Sequence, residues 1–115
     1  MEEPTVFEDI SRGRVPADIV YEDEHVVAFR EINPEAPVHV LVIPRTVMRN
    51  LSEATEVAPE VMGHLMQGIA TTARNLGLEE TGYRVVFNVG RDAQQTVQYL
   101  HGHILGGRTL QWPPG

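Results

Sequence analysis

Cysteine is absent from the 115 residues, which excludes disulfides, thiolate nucleophiles and cysteine-ligated metals. No apolar run approaches the ~20 residues needed to cross a bilayer. The opening MEEPTVFEDI is acidic and lacks the apolar core of a signal peptide, so a cytoplasmic protein is expected. Positive charge is also scarce. Nine Lys+Arg stand against sixteen Asp+Glu, a formal net charge of −7. The nine are scattered, which leaves no basic face for nucleic acid; neither a nucleic-acid nor a membrane partner is expected. A small anion is still possible, because main-chain N–H groups and imidazoles can hold one locally. Repeats and low-complexity segments are missing as well. The 42% apolar content fits one domain, residues 1–115, with a real core.

The apolar pattern divides the chain into short elements. Residues 5–11 carry Val6, Phe7 and Ile10 at helical spacing. Residues 19–22 and 25–31 read as strands joined by Glu22-Asp-Glu24. The loop Ile32-Asn-Pro-Glu-Ala-Pro37 leads into VHVLVI over residues 38–43, a β-branched run stopped by Pro44 that should be a central strand. The one long helix spans 59–76. Pro59 lies in its first turn, its stripe is Val61, Met62, Leu65, Met66, Ile69, Ala70, Ala73 and Leu76, and Gly77-Leu78 forms a glycine stop. Strands at 83–88 and 97–105 flank a polar loop at 89–95. The order predicts an α+β domain with a mainly antiparallel sheet.

The last strand contains YLHGHILGGR, residues 99–108, with two of the five histidines one residue apart. At a period of two, Tyr99, His101, His103 and Leu105 share one face, and Leu100, Gly102 and Ile104 share the other. The second face suits the long helix, so the histidines project from the side away from it. Spacing alone leaves polar packing, metal binding and catalysis open. A metal would need His39 and Glu31 as further ligands, and no tight ligand spacing supports them. Catalysis needs an imidazole nucleophile or base, a group that orients it, and donors for an anion. Asn88, at a strand end, and Thr96, just before the histidine strand, are candidate donors. Alone, Asn88 also reads as a simple strand-end cap.

The run YLHGHILGGR resembles the signature of the histidine triad (HIT) superfamily, in which histidines alternate along a strand before Leu-Gly-Gly-Arg. The stretch FREINPEAPVHVLVIP, residues 29–44, is similar to a second family signature. The Leu76-Gly-Leu78 helix end, the GYRVVFN strand and the terminal WPPG fit as well. The resemblance covers roughly residues 5–115 and is strongest to the Hint branch, the histidine triad nucleotide-binding proteins. It implies a HIT-like fold with a five-stranded sheet, one long and one short helix, and a homodimer whose sheets join into one. It implies binding of purine nucleoside monophosphates (AMP- or GMP-like) and hydrolysis of the P–N bond of nucleoside phosphoramidates, with no cofactor and no resident metal. His101 matches the nucleophile, His103 the holder of a phosphate oxygen, and His39 a proton-relay histidine beneath the nucleophile. Asn88, Thr96 and the loop residue Gln94 match phosphate and leaving-group contacts. Glu31 matches the ribose contact, and Val6, Phe7, Ile10, Phe29 and Ile32 match the pocket around the base. The tail, residues 109–115, is expected to dock at the dimer interface, with Trp112 beside the partner's phosphate pocket.

Five positions depart from the family pattern. Tyr99 stands where the first triad histidine is usual; with a pKa of ~10 it cannot act as a base near neutral pH. Glu31 replaces an aspartate. Ala93-Gln94 replaces Gly-Gly in the phosphate loop, where glycine gives positive φ at low cost. Gly102 replaces a large apolar residue, so something must pack closer there. Two rivals stand alongside the phosphoramidase reading, the first of them favoured by Tyr99, Glu31 and Gln94. One is a nucleotide-binding module with little turnover. The other is a zinc-binding interaction protein using His39, His101 and His103.

Overall fold

A computed structural model describes residues 3–115. The elements are α1 (Val6–Ser11), β1 (Ile19–Glu22), β2 (Val26–Arg30), β3 (Val38–Pro44), α2 (Pro59–Asn75), β4 (Tyr83–Phe87) and β5 (Gly102–Gly106). Short 3-10 turns cover Leu51–Glu56 and Arg91–Ala93. The five strands form one antiparallel sheet in the order β1-β2-β3-β5-β4. The expected α+β architecture is therefore the observed one. No helix among the described residues is long and apolar enough to cross a membrane.

Both faces of the central strands are buried, which explains why β2 and β3 read as continuous apolar runs rather than alternating ones. Val26, Ala28, Val40 and Val42 face α2, where they meet Leu65, Ile69 and Ala73. Val27, Phe29, Leu41 and Ile43 face α1, where they meet Phe7, Ile10 and Tyr99. The sheet thus separates a larger core under α2 from a smaller one under α1.

α2 starts on Pro59 and ends as its sequence indicates. Gly77 takes φ +75°, the Leu78 N–H reaches the Ala73 carbonyl at 3.1 Å and the Gly77 N–H reaches Arg74 at 3.0 Å. That is the paired 6→1 and 5→2 closure of a left-handed glycine stop, and Leu78 packs back into the core beside Ala73. The stripe is rotated from the one expected. Met66 and Ala70 are exposed, and Gly68 and Thr72 face the sheet instead. At Gly68 the helix comes so close that an added Cβ would stand 2.6 Å from Val26 Cγ2.

The final strand is shorter than expected: the ladder covers Gly102–Gly106, not 97–105. Its pairing with β3 ends at Val42 with Gly102. Before that point the chain bonds elsewhere. The Leu100 N–H donates to the Met48 carbonyl at 2.7 Å, and the Tyr99 hydroxyl donates to the Pro44 carbonyl. The alternation of faces nevertheless persists through residues 99–104. Leu100 and Ile104 enter the α2 core, and Tyr99 enters the α1 core. Gly102 is filled as expected: an added Cβ would meet Phe87 at 3.0 Å and Ile69 at 3.1 Å.

Candidate active site

Three histidines converge on the α1 side of the sheet. His103 lies in β5 opposite Leu41, and His39 lies in β3 opposite Leu105. They are diagonal neighbours on one face of an antiparallel pair, within reach for long rings. His39 Nε2 and His103 Nδ1 are 2.8 Å apart. His101 precedes β5, with its ring centroid 4.9 Å from that of His103. Phe7 of α1 packs edge-on against His101, also at 4.9 Å between centroids, and Phe29 lies behind Phe7 at 5.4 Å. The face carrying His101 points away from α2, as the strand pattern implied, but it is not open. α1 roofs it, and His101 is only 8% exposed.

Burial governs the protonation of all three rings, since removing a charge from water favours the neutral form. It pushes His101 below the ordinary histidine range, against the opposing pull of the Tyr99 carbonyl and the Glu31 carboxylate. His39 is lowered for the same reason, opposed by Glu31 and Glu35. His103 is pushed down to about 4 by burial and by its two histidine neighbours. Near neutral pH the cluster is uncharged.

The His101 ring is oriented by its own backbone. Its Nδ1 lies 2.7 Å from the Tyr99 carbonyl oxygen. A carbonyl can only accept, so Nδ1 carries the ring proton and Nε2 keeps a lone pair. This is the state an imidazole needs for attack on an electrophile. Tyr99 contributes the carbonyl alone; its side chain turns away into the α1 core and bonds to Pro44. His39 lies against His103, the next histidine along from His101. Both His39 nitrogens are engaged, Nδ1 by the Glu35 N–H at 3.0 Å and Nε2 by His103. A zinc site built from His39, His101 and His103 would have to break one of these bonds to gain a lone pair.

The other expected residues divide by position. Asn88 is half-buried, one step beyond the Phe87–Gly102 pair and therefore level with His101. Glu31 follows β2, and its N–H reaches the His39 carbonyl at 3.0 Å. Its carboxylate accepts from the Asn33 N–H at 3.3 Å. Phe7, Ile10 and Phe29 are buried in the small core; Val6 is half-exposed and Ile32 is 90% exposed. Thr96 and Gln94 are exposed in the loop before the histidines. Trp112 is 80% exposed in the single chain, with the Arg84 guanidinium 5.8 Å from its ring centroid.

Gln94 takes φ 59° and ψ 41°, the left-handed conformation that the glycine it replaces would adopt freely. The loop is held there by Gln95, which sequence reasoning missed. The Gln95 side chain is buried. Its Oε1 accepts from Gly90 N–H at 3.0 Å, and its Nε2 donates to the carbonyls of Arg49 at 2.8 Å and Val97 at 3.0 Å. The only hint in the sequence is a polar residue wedged between a loop and a buried segment. Glu35, whose N–H meets His39, carries no hint at all, because the contact is made by its main chain.

Residues 12–110 match the family model of the HIT domain. Among curated proteins, an uncharacterised HIT-like protein of Synechococcus elongatus is 51% identical over 115 residues, covering all of both chains. A 14 kDa zinc-binding protein of Zea mays is 46% identical, covering 97% of this chain and 88% of its own. Among solved structures, a HIT family hydrolase from Legionella pneumophila superposes with TM-score 0.92 at 38% identity, covering 97% of this chain and 100% of its own. A histidine triad nucleotide-binding protein from Candida albicans superposes with TM-score 0.81 at 26% identity, covering 96% and 83%.

Proposed function

The chain belongs to the HIT domain family, and on that premise we propose that it is a purine nucleoside phosphoramidase working through His101. The observation that carries this reading is the 2.7 Å contact from the Tyr99 carbonyl to His101 Nδ1, which leaves Nε2 as a lone pair in a neutral, desolvated ring. In the proposed reaction Nε2 attacks the α-phosphorus of an AMP-amine substrate. The P–N bond breaks, the amine leaves with a proton taken from solvent water, and the nucleotidyl group remains bonded to His101. Water then attacks the phosphorus, the phosphorus–histidine bond breaks, and AMP is released. Two easier displacements replace one difficult one.

The remaining residues fit this chemistry in graded roles. His103, Thr96, Asn88 and the loop at Gln94 are the proposed contacts to phosphoryl oxygens and leaving group, where fixed donors matter most. Glu31 is the proposed ribose contact. Phe7, Ile10 and Phe29 form the floor, and Val6 and Ile32 the rim, of the proposed base pocket. The working unit is proposed to be a homodimer, with Trp112 and the 109–115 tail beside the partner's phosphate pocket.

The deciding experiment is mass spectrometry of the protein mixed with an adenosine phosphoramidate. We expect an AMP adduct on the peptide containing His101. His101→Ala should lose the adduct and lower turnover by about a thousandfold or more, while circular dichroism shows the fold retained. Wild-type turnover in that variant would refute the mechanism. AMP binding without adduct or turnover would favour the nucleotide-binding module.

A further inference from the structure

His101 and His103 stand two residues apart, yet their surroundings require opposite tautomers. The cause lies outside the histidine strand. The Glu35 main-chain N–H donates to His39 Nδ1 at 3.0 Å. An N–H offers no lone pair, so His39 Nδ1 is the unprotonated nitrogen and the ring proton sits on Nε2. His39 Nε2 is 2.8 Å from His103 Nδ1. With the His39 proton placed, that bond has one direction: His39 donates and His103 Nδ1 accepts. The proton of neutral His103 is then on Nε2. That nitrogen is buried, and it has no hydrogen-bond partner among the described residues. A buried donor without a partner in a satisfied core points to a ligand acceptor.

Glu35 is itself held. Arg108 Nη2 donates to the Glu35 carbonyl at 3.0 Å. Gly107, at φ +89°, lets the turn after β5 press against the loop before β3; an added Cβ there would stand 2.9 Å from Pro37 Cβ. The Gly-Gly-Arg turn thus closes back on the residue whose N–H fixes His39. Neighbouring charges do not disturb this pattern. Glu31 and Glu35 are the carboxylates that act on His39, and burial outweighs them.

We propose that Glu35, through its main-chain N–H and anchored by Arg108, is a positioning residue that acts through His39 to lock His103 as the Nε2–H tautomer. His103 is thereby a fixed donor to a phosphoryl oxygen and cannot compete with His101 as nucleophile. The division of labour between two identical side chains is set by which main-chain group each chain of bonds ends on: a carbonyl for His101, an N–H for His103. The inference rests on the phosphoramidase reading only for the identity of the acceptor.

Long-range proton–nitrogen correlation spectra of the nitrogen-15-labelled protein near neutral pH report the tautomer of each ring. We expect the proton on Nδ1 of His101 and on Nε2 of both His39 and His103. A proton on Nδ1 of His103 overturns the proposal. Glu35→Pro removes the N–H and should convert His39 and His103 to tautomer mixtures. It should also lower kcat for a phosphoramidate by about 10- to 100-fold with KM little changed, as expected for a weakened transition-state donor. Glu35→Ala keeps the N–H and should keep both tautomers. Unchanged tautomers in Glu35→Pro refute the lock. Should Glu35→Pro fail to fold, the wild-type spectrum decides, together with Arg108→Ala, which should shift the same signals to a smaller degree. The spectra need no substrate. The expected tautomers in a protein that forms no nucleotidyl adduct would refute the functional reading alone. An adduct in a protein with His103 protonated on Nδ1 would refute the lock alone.

Discussion

Tyr99 performs two unrelated tasks with two parts of one residue. Its carbonyl orients His101, and its ring fills the small core with its hydroxyl on Pro44. Tyr99→His, which restores the usual family residue, keeps the first task and damages the second. Phosphoramidate turnover should change by less than about 100-fold, or ~2.7 kcal/mol in transition-state stabilisation. Thermal stability should fall, because a smaller polar ring replaces one that is 1% exposed. A larger gain in turnover would mean that the side chain at 99 takes part in the chemistry. At this scale the identities of His39, His101 and His103 were readable from the sequence, but their protonation was not. The partners that set it are the carbonyl of Tyr99 and the N–H of Glu35. Every residue carries such groups, so nothing in the side-chain pattern marks them.

Among the elements, the loop from Val89 to Gln95 depends most on a single side chain. Gln94 occupies a left-handed conformation that costs roughly 1–2 kcal/mol for a residue with a Cβ. The three hydrogen bonds of Gln95 hold the loop in place against that cost. Gln95→Ala should destabilise the protein by about 2 kcal/mol in urea unfolding, the scale of buried groups left unpaired. It should also raise KM for the phosphoramidate, since the loop then samples other shapes. A variant with unaltered stability and KM would show that the loop is held by other means. α2 with its glycine stop, and β3 with its double-sided burial, were legible because periodicity and caps are local signals. The start of β5 was not. A period of two reports which face a residue takes, and residues 99–101 keep that facing while their hydrogen bonds go to Met48, Pro44 and their own chain. The 3-10 turn at Leu51–Glu56 buries no residue and left no apolar signal to read.

For the molecule as a whole, the buried histidines couple stability to pH. His103 titrates at about 4 when folded, against 6.5 ordinarily. Between these values the unfolded chain binds a proton that the folded chain does not. Stability is therefore complete above about pH 6.5 and declines as pH falls towards 4, with His101 and His39 acting in the same direction. Thermal melts across that range should show the decline, and His103→Asn should make it shallower; identical slopes would assign the effect to other groups. The proposed homodimer belongs to this scale too. In the single chain β1 and β4 are the sheet edges, and unpaired edges invite pairing. Sedimentation should give a dimer, and deleting residues 111–115 should reduce turnover and alter leaving-group preference. A monomer, or kinetics untouched by the deletion, would remove the tail from the mechanism.

The roof over His101 is six residues long. α1 is held by the Thr5 cap on the Glu8 N–H at 3.1 Å and by Arg45 on the Ser11 carbonyl at 2.6 Å, and it buries only Phe7, Ile10 and Ser11. A helix this short does not persist by itself. In the language of hydrogen exchange it should behave as a low-energy foldon, its amides exchanging faster than those of α2. On the phosphoramidase reading a nucleotide would reach His101 through such openings, and its apparent affinity would then depend on how often one turn and a half of helix lets go.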